Sequence, residues 1–196
     1  GDVTAMRGQL EVLEELGQKS EGAEKLSAFL AQHARSLEAP ARVELYLYLG
    51  QLHLALGAAE AAMMAGEKAL EGDAVHVGCL RLLISACDKV PVYEKAVVYR
   101  QRLAAVVPEA ERYLFLFDAA VLADEKLSNP TRAIEGYLLA LKWKANAKEA
   151  LQRLHVAYRA AGHNRKAVDT LKSVLAHPEL SHGEWKRETL ALADLT

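Results

Sequence analysis

The stretch LYLYLGQLHLALG, Leu45 to Gly57, supports two hydrophobic patterns at once. Read at a period of two, Leu45, Leu47 and Leu49 share one face, as in a half-buried strand, and Leu52, Leu54 and Leu56 repeat this after a glycine. Read at 3.6, Tyr46, Leu49, Gly50 and His53 form one stripe of a helix. Local propensity does not choose between them, but a longer-range pattern does. Ala62 precedes Ala69-Leu70, Ala96 precedes Leu103-Ala104, Ala133 precedes Ala140-Leu141, and Ala167 precedes Val174-Leu175. The alanines are 34, 37 and 34 residues apart, and the extra three residues fit in the loop around Leu127-Ser128-Asn129-Pro130. A second landmark has the same period. Gly57 and Gly162 lie 105 residues apart, each closing a segment built alike: Leu49-Gly50 then His53, and Leu154-His155 then Tyr158. Leu83-Ile84 and Cys87 fall at the matching place between them.

These units predict helical hairpins, with residues 41–56 as the first helix of one. Gly50 costs up to about 1 kcal/mol against alanine inside a helix, and a missing side chain lets a partner helix approach closely. Ala62 is small for the same reason. Eleven helices fit the boundary signals. Pro40, Pro91, Pro108 and Pro130 sit where a first turn tolerates a missing N–H. Asn146 with Glu149, and Ser181 with Glu184, have capping-box spacing. Gly57 and Gly162 stand just past helix ends. A last helix near 182–193 mixes Trp185, Leu190 and Leu192 with Lys186, Arg187 and Glu188, as expected of a cap with one face on the stack and one in water.

The pattern Tyr46, Leu49-Gly50, His53, Ala62, Ala69 resembles the tetratricopeptide repeat family. So do Leu80, Leu83, Cys87, Ala96, Leu103, Pro108, and the shorter Ala133, Tyr137, Ala140. The closest copy is Leu151, Leu154, Tyr158, Gly162, Ala167, Leu171, Pro178. Gly66 and Arg100 depart from the family by standing where an aromatic is usual. The resemblance covers 41–178 and implies an all-α, right-handed solenoid of stacked antiparallel hairpins. A degenerate first repeat is expected over 2–38, where Leu10, Leu13, Leu16-Gly17, Leu26 and Leu30 supply the apolar pattern. Repeats follow at 41–74, 75–108, 109–145 and 146–179, with a capping helix at 181–196.

In the family the first helix of each hairpin lines a concave face that holds a peptide or a partner helix. The resemblance carries this over to Leu47, Gln51 and Leu54, to Arg81, Ser85 and Asp88, and to Gln152, Val156 and Arg159. Asp118 is a further candidate beside Tyr113-Leu114-Phe115-Leu116-Phe117, where the register is open. Some family members grip a terminal carboxylate with a basic and asparagine clamp. Here the equivalent places hold Leu47, Tyr48, Gln51 and Leu82, with Arg81 and Arg153 standing apart, so a terminal carboxylate is not expected. The expected partner is another protein, offering apolar side chains and some polar contacts. Two other functions share these hairpins: a chaperone-like repeat protein of secretion or envelope assembly, and a regulatory domain of a larger enzyme.

Composition narrows the field. Apolar residues are 52% of the 196, and charged residues 26%, enough for both a core and a polar surface. The net charge of −2 leaves no basic excess to neutralise a phosphate backbone, which weighs against nucleic acid and against RNA-binding helical repeats. No apolar run reaches a membrane span. Gly1 reads as a tag remnant, and a cytoplasmic location is expected. Cys79 and Cys87 would lie about 12 Å apart along a helix, too far for a bridge, and read as reduced, packed thiols. Of the seven histidines, His53 and His155 occupy core positions. His177 and His182 read as solvated loop residues. His76 and Cys79 have a spacing a metal site could use, but no second pair accompanies them. Glu14-Glu15 and Asp124-Glu125 read as solvated helix ends rather than catalytic dyads. No nucleophile elbow or phosphate-cradling glycine loop is present, so no enzyme and no cofactor is expected.

Overall fold

The computed structural model describes residues 2–193. Among them are eleven α-helices: α1 (Val3–Glu15), α2 (Lys19–His33), α3 (Ala39–Ala55), α4 (Ala59–Leu70), α5 (Val77–Cys87), α6 (Tyr93–Val106), α7 (Glu109–Glu125), α8 (Pro130–Leu141), α9 (Lys148–Ala160), α10 (Asn164–Leu175) and α11 (His182–Ala193). A single 3-10 turn, Ala34–Ser36, follows α2. The described residues contain no strand, so the leucine-rich stretch is helix throughout. The helices form two compact units that divide between Val92 and Tyr93. Within each unit, consecutive helices pack on one another: α1 to α5 in the first, α6 to α11 in the second.

The two-faced leucine pattern of α3 follows from its neighbours. It packs on α2, α4 and α5, so Val43, Leu45, Leu49 and Leu52 are all buried although no single stripe contains them. The aligned positions lie in the core. Ala62, Ala69, Leu103, Ala133, Ala140, Ala167 and Val174 are fully buried, and Ala96 nearly so. Gly50 is where the close approach is greatest. A Cβ there would overlap Leu82 Cδ2 of α5 and come within 3.3 Å of the Ala62 carbonyl of α4. The missing side chain therefore admits two partner helices, one more than the hairpin alone requires. Gly66 is explained the same way: Leu83 of α5 occupies the space an aromatic would need. Arg100, at the equivalent departure on α6, is buried and donates from Nη1 to the Ala96 carbonyl at 3.3 Å.

In the second unit Tyr137 of α8 is wholly buried, tilted against Phe117 at 5.9 Å, with its hydroxyl donating to Asp124 Oδ2 at 3.2 Å. Burial, reinforced by Asp124, pushes this phenol well above its ordinary range.

Several boundary expectations change. Gly57 and Gly162 do adopt left-handed backbone, at φ 77° and 75°, and Gly17 joins them at 71°. The three-residue insert carries the one positive-φ non-glycine among the described residues, Ser128, and Asn129 caps α8 through the Arg132 N–H. Pro91 precedes α6 rather than entering its first turn, and Pro108 is the N-cap residue of α7. Asn146 does not cap α9. Ala147 takes that place without a side-chain bond, while the Asn146 carbonyl is 2.8 Å from His177 Nε2. His177 is therefore held rather than simply solvated, because its Nδ1 also accepts the Glu179 N–H at 3.2 Å.

Candidate partner-binding clefts

The first unit holds a cleft of about 400 Å³ between α1 and α3. Its floor is apolar: Leu10 and Leu45 are buried, and Leu47 and Tyr48 half-buried. Its rim is charged. Arg7 on α1 bonds Glu44 on α3, and Glu11 and Glu14 lie one and two turns along α1 from Arg7. Tyr48 of α3 reaches α1, its hydroxyl donating to Glu14 Oε2 at 3.0 Å. Burial raises this phenol above its ordinary value, the bond to Glu14 adds to the effect, and the charges of Glu14 and Glu11 complete it.

The second unit holds a cleft of about 530 Å³ lined by Asp124 at the end of α7, by Gln152, Arg153 and Val156 of α9, and by Arg187 and Ala191 of α11. Arg153 bonds Glu125 at 2.6 Å, tying α9 to α7. Beneath the cleft two ionisable groups are buried together, His155 Nε2 lying 3.7 Å from Glu188 Oε2. Burial drives the imidazole below its usual value, while the Glu188 charge pulls it back up in part. Glu188 also accepts from Arg187 at 2.8 Å, and among the described residues Gln152 Nε2 and His155 Nδ1 are buried without a hydrogen-bond partner.

In both clefts the lining residues come from odd-numbered helices: α1 and α3 in the first unit, and α7, α9 and the capping α11 in the second. A third hollow, between α2, α3 and α4, is mainly polar, and its cations are partly engaged: Lys68 with Glu71 at 2.8 Å, and Arg42 with the Leu37 carbonyl at 3.4 Å.

The groove residues expected from the sequence divide between these places. Leu47 and Gln51 line the α1–α3 cleft, and Gln152 and Val156 the α9–α11 cleft, where Val156 is 51% exposed. Leu54 is half-buried and lines neither. Arg81, Ser85 and Asp88 form an exposed stripe on α5 outside both clefts, and Arg159 and Asp118 are exposed on α9 and α7. Arg7, Glu11 and Glu14 were not expected. Their spacing of four and three residues is that of Leu47-Gln51-Leu54 and of Arg81-Ser85-Asp88, so extending the register into the degenerate first repeat finds them.

Two candidate chemistries resolve into structure. His76 is the N-cap of α5, its Nδ1 accepting the Cys79 N–H at 3.2 Å, so the three-residue spacing is that of a helix cap. Cys79 and Cys87 are buried thiols, and burial, with help from Asp73, pushes Cys79 up to about 11, where little nucleophilic thiolate forms at neutral pH.

No protein-family model and no curated protein matches the sequence. Solved structures do match in fold. A crystal structure of MamA protein superposes with TM-score 0.57 at 20% identity, covering 90% of this chain and 92% of that one. The MamA AMB-1 structure gives 0.60 at 19%, covering 94% and 96%. A MamA RS-1 double mutant gives 0.55 at 16%, covering 96% and 97%. The chain thus has the tetratricopeptide-like fold of helices packed in consecutive pairs.

Proposed function

We propose that this chain is a protein-binding scaffold module that holds an extended peptide or a partner helix against the first helices of its hairpins. The observation that carries this reading is the pair of clefts on odd-numbered helices, one in each unit: the first has an apolar floor and a charged rim, and the second sets the exposed Val156 among polar and charged groups. Such sites suit a segment that buries a few side chains while its polar groups stay near water. The likeness in fold to MamA supports the same reading, with repeats proposed at 41–74, 75–108, 109–145 and 146–179. Leu47, Gln51 and Leu54, with Arg81, Ser85 and Asp88, are the proposed contacts in the first unit, and Gln152, Val156 and Arg159 those in the second.

The test uses the whole chain as bait in source lysate, beside a Gln51→Glu, Arg81→Glu variant. We expect a protein captured by the wild type and lost with the variant, while the circular dichroism spectrum is unchanged. Equal capture by both would overturn the assignment of these helices as the binding surface.

A further inference from the structure

The α1–α3 cleft has an electrostatic character that the rest of the proposed surface lacks. Three carboxylates, Glu11, Glu14 and Glu44, face one guanidinium, Arg7, and that guanidinium is already bonded to Glu44. Glu11 and Glu14 are exposed, sit one turn apart and form no ion pair among the described residues. Between them and the floor stands Tyr48, a half-buried ring with one edge anchored to Glu14. Leu47 and Leu10 lie beside it.

We infer that this cleft selects a partner segment that places an arginine or lysine between Glu11 and Glu14, next to an aliphatic side chain that enters the floor by Leu10 and Leu47. The inference rests on the scaffold reading and adds the chemistry of the partner. A cation there meets two carboxylates that form no ion pair among the described residues, over a partly dry floor where the attraction is stronger than in open water. The Tyr48 ring offers a cation a second favourable contact. An acidic segment meets the opposite conditions and is rejected by like charge. The aliphatic neighbour supplies the apolar area that a lone cation lacks.

The probes are three fluorescein-labelled peptides of about eight residues that alternate leucine with arginine, glutamine or glutamate, long enough to cross one cleft. Binding is read by fluorescence polarisation on the full chain. The arginine peptide is expected to bind best and to weaken as sodium chloride rises from about 50 mM to about 500 mM. Glu11→Gln with Glu14→Gln keeps the Tyr48 acceptor and should weaken it about tenfold, the combined size of two exposed charge pairs. Glu24→Gln with Glu60→Gln, exposed carboxylates outside the cleft, should leave it unchanged. Equal binding of the glutamate peptide, an unchanged affinity in the Glu11/Glu14 variant, or no binding of the arginine peptide would each overturn the inference.

A photo-crosslinking amino acid at Gln51 or Val156 separates this from the scaffold reading. Peptides selected from a display library that crosslink there but carry no basic residue would remove the charge preference and leave the scaffold standing. No crosslink at either position would remove both.

Discussion

A methyl group at Gly66 would lie 2.9 Å from both Cγ and Cδ2 of Leu83, a fully buried side chain with no room to retreat. Gly66→Ala gains about 1 kcal/mol of helix propensity but incurs an overpacking cost of about 1–3 kcal/mol. A net loss of up to about 2 kcal/mol is expected in urea unfolding. Gly57 fails for a different reason. Its surroundings are open, but φ is 77°, so Gly57→Ala costs about 1–2 kcal/mol of backbone strain. The two mechanisms separate under asparagine: Gly57→Asn should recover much of the loss, because asparagine tolerates this backbone, and Gly66→Asn should be worse than alanine. Cys79 offers another check. Buried and raised to about 11, it should stay unmodified by a disulfide reagent at pH 8 and react only once the chain unfolds. At this scale the sequence reveals what repeats. The aligned alanines and glycines were legible because every copy solves the same packing problem. One-off contacts were not. Gly50 was expected to admit one helix and admits two, and His177 holds the Asn146 carbonyl through a contact spanning 31 residues that no local pattern marks.

Among the elements, α11 departs most from its expected role. Of the apolar residues Trp185, Leu190 and Leu192 that mark it as a cap with one face on the stack, Leu192 is half-buried, Trp185 and Leu190 are 47% and 62% exposed, and Glu188 is 4% exposed. The cause is the neighbour. His155 of α9 presents a buried nitrogen to this helix, and a carboxylate, not an indole, answers it. Apolar content was therefore a poor guide to facing, because the pattern assumes an apolar counterpart. The start of α11 follows its capping-box spacing. Ser181 N–H donates to Glu184 Oε2 at 2.9 Å and Glu184 N–H to Ser181 Oγ at 3.3 Å, a reciprocal capping box joined by Lys148 of α9 at 3.2 Å. Ser181→Ala should cost about 1 kcal/mol, seen as faster amide exchange over 182–188 while α9 and α10 hold their protection. The backbone and side-chain bonds to Ser181, then Lys148, hold the Glu184 carboxyl down at about 2. A carboxyl lowered on folding adds stability above its unfolded value, near 4.3, and loses it as pH falls toward the folded one. The α11 cap should thus loosen below about pH 4, and Glu184→Gln should remove that acid transition.

For the molecule as a whole, a separate transition is expected nearer neutrality, and its sign follows from two imidazoles, one buried and one half-buried. His155 is lowered chiefly by burial, with Arg159 adding to the effect and Glu188 opposing it, and half-buried His53 is lowered by burial alone. In the unfolded chain a histidine titrates near 6.5. As pH falls through that value the unfolded state takes up protons first and the native state lags, so acidification favours unfolding. Stability measured in urea should therefore rise from about pH 5 to about pH 7.5, in a window distinct from that of Glu184. His155→Gln should lower the starting stability and flatten this rise in part, with His53→Gln removing most of the remainder. Glu188→Gln should do the reverse. It removes the one charge that favours protonated His155 and leaves Arg159 and Arg187 nearby, so the imidazole drops further and the rise steepens. A pH profile that Glu188→Gln flattens would mean that the pair acts mainly through the carboxylate. The buried contact between α9 and α11 would then be an ordinary polar anchor, without the proton linkage derived from its geometry.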